Sequence, residues 1–276
     1  MTDYELDQYF DNQEDLQAYQ AFIAEQEFGN PRFDLDQPVL VCRWRMAHRR
    51  VPLLARHIRA LAARRINGQA VQKNLVAWAK QHIEWSLADA ELTDPSGVLM
   101  LVIDVHGNAA MSVGPYQPLP EENLNQPLRP HAEFLPIASP ELLLERARLA
   151  RSEFHATGIA PEVLCAQQDM QLLIYDECGT NPHQTCASAA KHAHAKVSRV
   201  SAGVLSLVKQ LAQTKGLSCV YVSDLPSRDE LLQDSFLVSD EHGIVHSALP
   251  EAATPSAAQP FIQLAQQGYE KLLAKQ

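Results

Sequence analysis

Apolar residues recur at three- and four-residue steps from Tyr4 to Glu27, at Tyr9, Phe10, Leu16, Tyr19, Phe22 and Ile23. This pattern predicts a helix that Gly29, Asn30 and Pro31 end. The period then drops to two: VLVCRWRM (Val39 to Met46) alternates as a half-buried strand. In PLLARHIRALAARR, Pro52 suits the first turn of a second helix that Asn67-Gly68 breaks. Val71, Leu75, Trp78, Ile83 and Trp85 space a third over Gln69 to Leu87. VLMLVIDV and AAMSVGPY follow as strands joined at His106-Gly107-Asn108, a turn short enough for a hairpin. From Pro115 to Pro136 the chain is proline-rich and polar. That marks a boundary: a small α/β domain over residues 1–118, a linker over 119–136 and a larger α/β domain over 137–276.

The second half opens on Ser139-Pro140-Glu141, an N-cap with proline at the first helical position, ahead of a helix to about His155. MQLLIYD and LSCVYVSD are continuous apolar runs of the kind buried on both faces, with a helix from Ala202 to Lys215 between them. FLVS and GIVHS flank a DEHG turn, and Phe261 to Lys275 closes the chain as an amphipathic helix. No internal repeat is visible.

With 276 residues, 46% hydrophobic and 20% charged, the composition is that of a folded globular chain. No apolar run approaches the ~20 residues of a membrane span, and the first thirty residues are acidic, unlike a signal peptide. The expectation is a soluble cytoplasmic protein with no membrane partner. Cys42, Cys165, Cys178, Cys186 and Cys219 are odd in number and scattered, which fits reduced thiols. The net charge of −10 hides an asymmetry: residues 1–36 hold many acids and only Arg32 as a base, whereas Arg43 to Arg65 holds eight arginines and no acid. One basic segment in an acidic protein is a narrow field for nucleic acid, so internal pairing and a local phosphate site are expected instead. The tryptophans Trp44, Trp78 and Trp85 take core-like positions and are expected to pack.

The stretch DECGTNPHQTCASAAKHAHAK (Asp176 to Lys196) gathers Cys178, His183, Cys186, His192 and His194. Its spacing, C-x4-H-x2-C-x5-H-x-H, matches no common zinc pattern, and no metal is expected. No P-loop, G-x-S-x-G, G-x-G-x-x-G or H-E-x-x-H occurs in the chain.

Five segments in order, VLVCRWRMAHRRVPLLARHIRAL, LMLVIDVHGNAAMSVGPYQPLP, MQLLIYDECG, VSAGVLSLVKQL and DELLQDSFLVSDEHGIVHSAL, resemble class IV pyridoxal-phosphate enzymes. These are the aminodeoxychorismate lyases and the branched-chain and D-amino-acid aminotransferases. The resemblance implies a two-domain α/β (α+β) fold of the D-amino-acid aminotransferase type, a homodimer, pyridoxal phosphate as cofactor and a small-molecule ligand in the interdomain cleft. It implies Arg45, Arg59, Gly203 of the Gly-Val turn, Glu230 and Ser239 of the late strand as cofactor-binding residues. The cofactor needs a lysine for its Schiff base and a carboxylate at its ring nitrogen. A collinear register places the lysine within LLLERARLARSEF, which has none, the carboxylate at Pro182-His183, and the phosphate arginine at Ala60 beside Arg59. A second register supplies Lys196 as the Schiff base and Glu230 as the ring partner. The two imply different proteins: a silent homologue whose cleft takes a small anion near Arg45 or Arg59, or a partner, and an active aminotransferase or lyase.

Overall fold

The computed structural model of the chain describes residues 13–28, 38–89, 96–119, 137–176, 200–232, 234–247 and 259–275. In chain order its first part runs α1 (Gln13–Phe28), β1 (Pro38–Ala47), α2 (Leu54–Ala63), β2 (Arg65–Ile66), β3 (Gln69–Ala70), α3 (Lys73–Asp89), β4 (Ser96–Asp104) and β5 (Ala109–Pro115). Among the described residues β1, β4 and β5 form an antiparallel sheet of three strands in the order β1-β4-β5.

The period of two along β1 decides what each face meets. Leu40, Cys42, Trp44 and Met46 are buried opposite Ile103, Leu101, Leu99 and Gly97, and join Leu61 of α2 and Leu75 and Ile83 of α3 in one apolar core. Arg43 and Arg45 alternate with them and face the other way. A slip of one residue would exchange the two sets, so burial holds the register.

Two expectations change here. Asn67 and Gly68, both left-handed (φ 50 and 80), turn β2 into β3, so α2 ends at Ala63 and α3 starts at Lys73 rather than Gln69. Asn-Gly is a strong hairpin signal, and here it outweighed helical spacing. Trp44 and Trp78 are buried, but Trp85 is 47% exposed. The buried stripe of α3 runs through Leu75, Ala79, Ile83 and Leu87. Trp85 stands two residues past Ile83, about 200° around the helix, so it cannot share that stripe.

The second part runs β6 (Ile137–Ala138), α4 (Pro140–Thr157), β7 (Glu162–Gln168), β8 (Gln171–Tyr175), α5 (Gly203–Thr214), β9 (Ser218–Val222), β10 (Ser235–Ser239), β11 (Gly243–Ser247) and α6 (Gln259–Leu273). Among the described residues it builds a mixed six-stranded sheet in the order β6-β11-β10-β7-β8-β9. Pairs β8–β9 and β6–β11 are parallel and the rest antiparallel. The α4 signals act as read: the Ser139 hydroxyl accepts from the Leu142 N–H, Pro140 opens the helix and Gly158 (φ 84) closes it. The chain is thus a mixed α/β protein.

Helices cover both faces of this sheet. Val163, Cys165, Ile174, Phe236 and Val238 pack under α5 and α6, while Leu164, Ala166, Leu173 and Leu237 pack against α4. LSCVYVSD does not give a strand buried on both faces, because β9 lies at the sheet edge and is half-buried. β7 is a further strand, not among those expected from the pattern, and sits between β10 and β8. Cys42, Cys165 and Cys219 are free thiols, and no helix among the described residues is long and apolar enough to cross a membrane.

Gly243 opens β11 at φ 75, and a Cβ there would lie 2.6 Å from Tyr269 Cε1 of α6. Gly243→Ala meets both the left-handed backbone penalty and overpacking, and is expected to cost ~1–3 kcal/mol in denaturant unfolding.

Candidate functional site

The two parts meet where β1 lies against the DEHG turn between β10 and β11. Asp240 is the junction, and four separate elements converge on it. Its N–H donates to the Pro161 carbonyl, and its own carbonyl accepts from the Arg45 N–H at 3.0 Å. One carboxylate oxygen accepts from the Val204 N–H at 3.0 Å, in the first turn of α5. The other lies 3.5 Å from His57 Nδ1 of α2. Asp240 and His57 are 3% and 1% exposed, so water cannot supply either with a substitute partner. Burial pushes the Asp240 carboxyl up. His57, the Val204 amide and Arg64 outweigh it, and hold the group below the usual aspartate range.

A second set of charges surrounds the first. The Glu162 carboxylate, on β7, accepts from Arg146 Nε at 2.7 Å and Nη2 at 2.5 Å, a bidentate pair with α4. It also accepts the Ser239 hydroxyl at 2.7 Å. Ser239 in turn accepts from the Glu241 and His242 N–H groups, which closes the turn. Glu241 takes Arg43 of β1 through two bonds of 2.7 Å. His242 Nδ1 stands 3.3 Å from the Tyr116 hydroxyl, and the Arg45 guanidinium lies over the Tyr116 ring, 3.1 Å from its centroid. Burial holds the His242 imidazole below its ordinary range, against the pull of Glu241. Arg64, at the end of α2, reaches Glu153 of α4 at 2.5 Å, beside Cys42, whose thiol burial pushes up to about 11. Arg43 and Arg64 therefore find carboxylates in the second half of the chain.

The residues that the resemblance implies for the cofactor fall in several places. Arg45 stacks on Tyr116 at the junction. Gly203 opens α5 directly against His57, and a Cβ there would lie 2.4 Å from His57 Nδ1. Ser239 is 1% exposed, and its hydroxyl serves Glu162 and the turn. Arg59 is exposed on α2, its Nε bonded to the Ala55 carbonyl of its own helix. Arg56, one turn earlier, reaches Ser206 and Gln210 of α5. Glu230 is exposed in a surface turn, where it accepts the Ser227 N–H at 2.9 Å, and that amide holds its carboxyl below the usual range. Lys196, and the cysteines and histidines from Cys178 to His194, lie outside the described residues.

The junction fits poorly as a phosphate cradle. A phosphate at the start of α5 would meet the Val204 amide only after displacing Asp240. It would then lie among the carboxylates of Asp240, Glu241 and Glu162, a like-charge arrangement in low dielectric. Pattern reading missed Asp240, His57, Glu162, Arg146 and Tyr116. His57 stood inside the quoted HIRAL, and two acids between apolar strands in FLVSDEHGIV were the one signal for Asp240 and Glu241.

No family model matches the chain, and no curated protein matches it. Its structure is similar to several solved ones. One is a fold IV-transaminase from Curtobacterium pusillum, at 13% identity, covering 90% of this chain and 92% of that one, with a TM-score of 0.43. Another is a hypothetical aminotransferase from Mycobacterium tuberculosis with alpha-ketoglutarate and PMP bound, at 15% identity, 86% and 93% coverage and a TM-score of 0.43. A third is a protein provisionally named 4-amino-4-deoxychorismate lyase from Legionella pneumophila, at 11% identity, 88% and 97% coverage and a TM-score of 0.42. What this chain does chemically rests on its own residues.

Proposed function

We propose that the chain is a divergent, catalytically silent homologue of the class IV pyridoxal-phosphate enzymes that acts by binding a small anionic ligand. What carries the reading is that the start of α5 and Ser239 already have partners within the chain, the Val204 N–H in the Asp240 carboxylate and the Ser239 hydroxyl in Glu162. A cofactor held by charge-assisted contacts loses about 1.5–3 kcal/mol with each one that is gone. Affinity then falls by powers of ten. The ligand would lie at Arg59, exposed on α2, with Arg56, held by Ser206 and Gln210 of α5, one turn away. Burial and then the Arg59 charge lower the Arg56 guanidinium's hold on its proton, and a bound anion relieves that repulsion. The boundary near residues 119–136 and the homodimer are parts of the same reading.

The purified protein is expected to be colourless. After added pyridoxal phosphate and borohydride, mass spectrometry should find no lysine modified in preference to the others. Yellow absorbance and specific labelling of Lys196, both lost in Lys196→Ala, would show instead an active aminotransferase or lyase with Lys196 as Schiff base. Sedimentation tests the dimer.

A further inference from the structure

We infer that Asp240 is the chain's own anion for the start of α5: the site is filled from within and closed to phosphate from outside. The first turn of a helix presents N–H groups without intrahelical partners and the positive end of the dipole, which suits an anion. In α5 a carboxylate already takes the Val204 N–H at 3.0 Å, and no side chain caps the helix at Ala202. A second, independent group points at the same place. His57, 1% exposed and stacked on Trp44 with ring centroids 5.1 Å apart, places a buried Nδ1, without a hydrogen-bond partner among the described residues, 3.5 Å from the other carboxylate oxygen. Gly203 leaves no spare room, since even a methyl there would enter the imidazole.

The consequence is a lock rather than a pocket. Through its backbone Asp240 also holds β1, by the Arg45 N–H, and the Pro161 carbonyl ahead of β7. An incoming phosphate would therefore have to expel a buried charge at a residue whose backbone is fixed between the two sheets. The inference uses the functional reading above only in taking Gly203 and Ser239 as the implied cofactor positions.

Asp240→Ala keeps the Cβ and removes one carboxylate, which is the size of formate. Its melting temperature should fall below that of the wild type and climb back with added formate, but not with chloride at equal ionic strength. The His57 ring nitrogens should shift in NMR over the same titration. In wild-type protein neither formate nor inorganic phosphate should shift the His57 ring nitrogens more than chloride does. A folded Asp240→Ala that ignores formate overturns the inference. So does wild-type protein that inorganic phosphate stabilises beyond chloride while shifting the His57 ring. If the variant does not fold alone, it is refolded from denaturant with and without formate: recovery only with formate supports the inference, and recovery in neither overturns it. No cofactor enters these melts, so labelling of Lys196 would sink the functional reading and leave this result standing.

Discussion

Glu162→Ala is expected to destabilise the protein by about 3–5 kcal/mol, the cost of breaking a buried ion pair by removing one partner. The carboxylate is 7% exposed and accepts three bonds, two from Arg146 and one from Ser239. Its loss leaves the Arg146 guanidinium without its carboxylate and the buried Ser239 hydroxyl without its acceptor. The Arg146 side chain is 28% exposed, so water reaches part of it and the lower end of the range is expected. Glu162→Gln keeps an acceptor for Ser239 and loses only the charge, so it should cost less. Replacing Arg146 and Glu162 together with leucine should recover most of the loss, because no charge is then left buried. Urea unfolding with an unchanged slope is the measurement. A loss under 1 kcal/mol for Glu162→Ala would mean that the bidentate pair is no stronger than a surface one.

Acid should unlock the junction. The folded Asp240 carboxyl lies below its unfolded value, so its contribution is complete above the ordinary aspartate range and is lost as pH falls through the lower folded value. Asp240→Asn should therefore be less stable than the wild type near neutrality and show a flatter fall of stability below about pH 4. His242 works in the same direction at higher pH: held below the ordinary imidazole range by burial, it favours the folded state once it is deprotonated. Glu153 opposes both, since burial raises its carboxyl in the fold and stability is lost there as pH rises. Glu230, fully exposed, shifts the same way as Asp240, and Glu230→Gln should leave the profile nearly unchanged, because water screens its contact with Ser227. A profile for Asp240→Asn parallel to the wild type across the acid range would exclude Asp240 as the group that titrates.

What the amino-acid order determined is what can be settled within a few residues. Alternation in VLVCRWRM put Trp44 inward and Arg43 outward. Ser139-Pro140 capped α4, and DEHG turned β10 into β11, because each outcome depends on backbone angles and bonds between near neighbours. Where two local signals competed, as at Asn67-Gly68, the one with the stricter backbone demand prevailed. Trp85 shows the limit of spacing alone, since a position two residues from the buried stripe still looks apolar in sequence. The junction was decided by tertiary structure. Arg43 and Glu241 are 198 positions apart, Ser239 and Glu162 are 77, and Val204 and Asp240 are 36. No periodicity links such pairs. They form because two sheets with separate cores dock along β1, which brings Asp240, Glu162 and Ser239 out of water's reach and beside partners from distant parts of the chain.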